Sequence, residues 1–160
     1  MKLRLAPAPL LLAGLLFAGG AFATDAAQVK ASHAWIRVMP GNLPAGAYVV
    51  LENRGDHPVS LRSASSEAYG DVMLHKSSTE GGMGRMEMAE SLSIPAHGKA
   101  ALAPGGYHLM LMQATHPVQV GDKVKISLKF ADGSALDTDF AAMPANTVEG
   151  GEAAAEHHGH

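Results

Sequence analysis

Val124-Lys125-Ile126-Ser127-Leu128-Lys129-Phe130 sets an apolar residue at every second position and a polar one between. A period of two marks a strand with one face in a core and the other in water. Outward from it, residues 35–39, 47–51, 59–63, 72–75, 86–88, 99–102, 107–112 and 135–140 are further short segments that read as strands. Between them fall turn signals: Gly81-Gly82, Pro95, Pro104-Gly105-Gly106, Gly121-Asp122 and Asp132-Gly133. No stretch of ten or more residues carries a helical period. About nine short strands at this spacing predict an all-β sandwich with antiparallel sheets.

The two ends of the chain read differently. Lys2 and Arg4 precede an apolar run over 10–18, and Ala21-Phe22-Ala23 follows before Thr24. This is the charged, apolar and small-residue order of a secretory signal peptide, with cleavage expected after Ala23. Gly14, Gly19 and Gly20 interrupt a run already short of the ~20 residues a membrane span needs, so stable membrane insertion is not expected. The reading is therefore a signal peptide over 1–23, a β-sandwich domain over 24–144 and a flexible tail over 145–160, where Gly, Ala, Glu and His dominate. Loss of the leader removes two cations and no acid, taking the net charge from −3 to −5. A periplasmic location and a monomeric state are expected.

Composition narrows the chemistry. The chain holds no cysteine, nine methionines and nine histidines. That excludes disulfides, CxxC redox pairs, iron–sulfur clusters and thiolate-ligated blue copper. With 12 basic and 15 acidic residues, nothing marks a nucleic-acid footprint. G-x-S-x-G and H-E-x-x-H are both missing, and no nucleophile stands beside an evident base, so an enzyme is not expected.

Two His–Met pairs carry the chemistry instead. In Tyr107-His108-Leu109-Met110-Leu111-Met112, strand geometry sends Leu109 and Leu111 to one face and His108, Met110 and Met112 to the other. The leucines are core residues, which leaves an imidazole beside a thioether on the outer face. Upstream, His75 ends one strand and Met86 opens the next, with Gly81, Gly82 and Gly84 in a hairpin between. Two His and two Met could then converge on one ion. Neutral thioether sulfur with imidazole favours Cu(I) over zinc, magnesium or calcium. Met73, Met88 and Met112 read as packing residues, and Met83, in the glycine-rich loop, as a possible mobile auxiliary ligand.

His75, ten residues, Met86, twenty-one residues, then His108-x-Met110 resembles the signature of the periplasmic copper chaperones called PCuAC. The resemblance runs from about Ala34 to Met143 and includes Trp35-Ile36-Arg37, Tyr48, Glu52-Asn53, Ile94-Pro95-Ala96 and Gly105-Gly106-Tyr107-His108. It implies a cupredoxin-like β-sandwich holding one Cu(I) near the surface through His75, Met86, His108 and Met110. It also implies delivery of copper to the copper-centre subunit of cytochrome c oxidase, alongside other copper assembly factors. A sequestration or resistance protein would use the same ligands. A β-sandwich interaction module would leave them incidental.

Histidine ligands protonate near ~6.5, so acid is expected to assist copper release. In the tail, His157, His158 and His160 form a candidate secondary Cu(II) site, since nitrogen-rich sets suit that ion. His57, His97 and His116 read as loop residues, and His33 as lying just before the first strand.

Overall fold

The computed structural model describes residues 21–148. Most of the leader and the tail from 149 onward, with its three histidines, lie outside that range. A short helix, α1 (Asp25–Gln28), opens the described chain, capped by the Thr24 side chain accepting from the Ala27 N–H. Ten strands follow: β1 (Val29–Arg37), β2 (Ala45–Asn53), β3 (Val59–Ser65), β4 (Tyr69–Ser78), β5 (Arg85–Met88), β6 (Leu92–Ile94), β7 (Lys99–Leu102), β8 (Tyr107–Ala114), β9 (Lys123–Phe130) and β10 (Ala135–Met143). One turn of 3-10 helix, Glu80–Gly82, sits between β4 and β5.

The strands hydrogen-bond in the order β5-β4-β8-β2-β1-β10-β9-β3-β6, with β7 added to β2. This single path folds over on itself: β6, at its far end, contacts both β2 and β7. The core lies between the two halves. Leu51, Leu109 and Leu111 from one half meet Leu61, Ile94, Ile126, Leu128 and Phe140 from the other in one cluster, all fully buried. Val124, Ile126, Leu128 and Phe130 point inward as the alternation requires, while Lys123, Lys125 and Lys129 are exposed.

The architecture is the cupredoxin-like β fold expected, with three differences in detail. The first strand starts six residues before Trp35, and His33 lies inside it. The register steps from Ser32↔Val50 to Trp35↔Tyr48, so β1 carries an extra residue, and His33 sits there at φ +51°. This bulge reverses the inward–outward parity midway, which hides the first half of the strand from a period-two reading. The short β6 was not expected; Leu92 and Ile94 are buried on either side of exposed Ser93. Finally, the sheet is mixed: β1 pairs with β10 in parallel (Trp35↔Ala141, Arg37↔Met143) rather than antiparallel.

Candidate metal centre

The centre is built on three neighbouring strands, β5, β4 and β8, at one end of the path. Residues directly opposite in an antiparallel pair project from the same face. His75 of β4 lies opposite His108 of β8 on one side and opposite Met88 of β5 on the other. One step of two residues away, Met73 faces Met110; one step the other way, Ser77 faces Met86. The four expected ligands therefore all belong to one sheet face, the face turned away from Leu74, Leu109 and Leu111.

The two imidazoles meet edge to face, with ring centroids 5.7 Å apart. His108 is 5% exposed, more enclosed than an outward-facing residue would be. Its neighbourhood explains this. Trp35 and Tyr48 are also buried yet stand outside the main core cluster, forming a second layer on the outer face. Their rings lie tilted at 37° with centroids 4.6 Å apart, and the Arg37 guanidinium lies 5.5 and 5.4 Å from the two ring centres. Arg37 in turn donates to the Thr147 carbonyl, so the aromatic pair is roofed by a cation held in place. Gly46, opposite Met110, provides space: a Cβ there would come within 2.7 Å of the Tyr48 hydroxyl.

A glycine turn orients His108. Gly105 adopts φ +85°, and the Ala103 and Gly106 N–H groups close the turn onto Tyr107 and Ala103. The Gly106 carbonyl then accepts from the Ser77 N–H at 3.0 Å and faces His108 Nδ1 at 3.2 Å. A carbonyl only accepts, so Nδ1 carries the proton and Nε2 keeps its lone pair. That Nε2 is buried without a hydrogen-bond partner, and so are both ring nitrogens of His75. Burial, and second the like charge of His108, lower the His75 pKa from its ordinary value. Both effects keep the ring neutral, the form that binds a metal.

Beyond this pair the donors are sulfur. Among the described residues, no three His, Asp or Glu side chains gather at one place. Met83, Met86 and Met88 are 65%, 54% and 72% exposed. Met88 is thus not the packing residue its apolar character suggested: β5 is the end strand and this part of its face is uncovered. Met73 and Met112 are half-buried on the ligand face, not in the core. Among the described residues, no further histidine joins the pair in a cluster. His97 is an exposed loop residue bonded to Asp56 at 2.7 Å, His57 lends its carbonyl to Asn53, and His116 sits beside the Thr115 hydroxyl. A cleft of about 910 Å³ is lined by Ser65, Thr115, His116, Lys125 and Asp137 among others, and none of the His and Met residues of the centre lines it.

The parity of β8 was readable from sequence. The Gly106 carbonyl, and Met88 standing directly opposite His75, were not. The latter depends on the hairpin register, for which the M-x-M spacing of Met86 and Met88 was the available hint.

Residues 29–142 match the family model described as "Putative lipoprotein LpqE-like". A relative from Leifsonia xyli subsp. xyli, "Putative lipoprotein Lxx21020", is 34% identical over 123 residues, covering 76% of this chain and 72% of its own. Among solved structures, CuI-DR1885 from Deinococcus radiodurans is 34% identical with a TM-score of 0.57, the match covering 82% of this chain and 86% of that one. The apo PCuAC domain from PmoF1 is 26% identical with a TM-score of 0.64, over 76% of this chain and 98% of that domain. On these matches the chain belongs to the LpqE-like family, the family of the PCuAC domains.

Proposed function

We propose that this protein is an exported, non-enzymatic copper chaperone that binds Cu(I) through His75, His108, Met110 and Met86. We further propose that it delivers the ion for assembly of the cytochrome c oxidase copper centre. The observation that carries the reading is the cross-strand imidazole pair, whose three buried nitrogens lack any hydrogen-bond partner. Burying a polar nitrogen unpaired costs free energy, and a metal ion accepting the lone pair of His108 Nε2 and the single lone pair of neutral His75 removes most of that cost. Thioethers flank the pair on the same face, so the donor set is neutral and soft, the set that suits Cu(I). The relative whose structure is named CuI-DR1885 supports the choice of ion. The family's lipoprotein description and the leader over 1–23 support export.

Neutral ligands also suit a carrier. No thiolate bond has to be broken on release, so an acceptor supplying cysteine ligands would hold the ion more strongly. Thioethers neither titrate nor form disulfides.

Two neighbouring residues on opposite faces of β8 test the assignment. Met110→Ala is expected to lower Cu(I) affinity by at least a hundredfold in a competition titration while leaving the thermal melt near wild type. Leu111→Ala removes a fully buried side chain and is expected to lose about 2–5 kcal/mol of stability with copper affinity largely kept. Wild-type affinity in Met110→Ala refutes the ligand set.

A further inference from the structure

Resting on that reading of the site, we infer that Met88 is itself a Cu(I) ligand, sharing with Met86 the thioether position on the outer side of the imidazole pair. The argument is one of register. Across β5, β4 and β8, Met88, His75 and His108 stand in a single row, each directly opposite the next. Met110 is two residues to one side of that row, and Met86 two residues to the other.

With strands about 4.8 Å apart and about 3.4 Å per residue, an ideal sheet puts the Cα atoms of Met86 and Met110 about 17 Å apart. The same geometry puts Met88 and Met110 about 12 Å apart. Two methionines clasping one ion span at most about 12 Å between Cα atoms, given ordinary bond lengths and a metal–sulfur distance near ~2.3 Å. On this lattice Met88 and Met110 stand at that limit, so a slight inward curl of the sheet lets them hold one ion on either side of the His pair. Met86 and Met110 reach it together only if the hairpin curls inward much further.

Exposure agrees. Met88 is 72% exposed and Met86 54%, both on the end strand, so neither thioether is committed to packing. A large apolar side chain left so open on the row of the two imidazoles has no structural task in the fold. Two alternative thioethers at one position give the ion a path: held by Met88 in the row, passed to Met86, and then toward Met83 in the exposed loop beyond, itself 65% exposed.

The test is Cu(I) competition titration of Met86→Leu, Met88→Leu and the double variant, with His108→Ala as the control for the site as a whole. Leucine keeps the apolar bulk and removes the sulfur. If Met88 is a ligand, Met86→Leu stays within about tenfold of wild type, because Met88 serves in its place, and the double variant falls at least a further tenfold. If Met86→Leu already falls as far as the double variant and Met88→Leu matches wild type, the inference is overturned while the four-ligand site stands. If neither the single variants nor the double variant changes affinity, it is likewise overturned. Wild-type affinity in His108→Ala would overturn the underlying site and this inference with it.

Discussion

His108 holds its Nδ1 proton against the Gly106 carbonyl and leaves Nε2 buried without a partner beside His75, whose own two nitrogens are likewise buried and unpartnered. The surroundings of His75 favour its neutral form, and that has a measurable consequence. His75 has a lowered pKa in the folded protein, from burial first and the neighbouring His108 second. Between that lowered value and ~6.5, the unfolded chain holds a proton that the folded chain does not. Acid therefore favours unfolding: the contribution is fully present above ~6.5 and is lost as pH falls through the folded-state value. The melting temperature of the metal-free protein should drop between pH 7 and pH 5, and His75→Gln should flatten that drop. An unchanged slope in the variant would refute the assignment to His75. If His75 is a ligand, the same shift should move acid-assisted copper release below the pH expected of a free imidazole. The residue types at the site were legible because His-x-Met on a strand fixes their face. The proton's position was not, because it depends on a backbone carbonyl that a turn delivers.

At the level of strands, parity came from the sequence and register did not. Alternation in β9 and in Leu109/Leu111 announces which side is core, since apolar burial dominates the choice. Which residue of β4 stands opposite which residue of β5 depends on how the loop around Gly81 and Gly82 closes, both at φ +75°. Leu92–Ile94 escaped notice because three residues carry too little pattern, and the first half of β1 because a bulge resets its phase. Strand ends also need fastening, and Asn53 does this for β2. It is fully buried; its amide donates to the His57 carbonyl at 2.7 Å and the Ile94 carbonyl at 3.2 Å, and its oxygen accepts from the Gly55 N–H. One side chain thus ties the end of β2 to the next turn and to β6. Asn53→Ala strands these groups and should cost about 2–4 kcal/mol in denaturant unfolding, with Cu(I) affinity unchanged. A loss under 1 kcal/mol would show that water replaces the amide at no cost.

For the molecule as a whole, the decisive contact is the one the sequence pattern did not foretell. β1 lies between β2 and β10, antiparallel to one and parallel to the other, so the middle of the sheet joins the first strand to the last. Sequence reading identifies both strands but assigns neither a neighbour, because a parallel crossover leaves no turn signal between its partners. Phe140 and Ala142 of β10 are buried, and Ala141 and Ala142 register against Trp35 and Ile36. Deleting residues 135–160 should therefore abolish the cooperative thermal transition, although every residue proposed to bind Cu(I) remains. A cooperative melt in the truncated chain would refute this.

That pairing also sets an order in time. Hairpins such as β4–β5 and β9–β10 can close as soon as their second strand exists, but β1 waits more than a hundred residues for β10. Long-range pairing of this kind is slow to form. A chain that emerges from its amino end has no completed sheet until nearly its last strand is free. Until then it holds no more than marginal hairpins that open easily, and stays in a form that a narrow channel can pass.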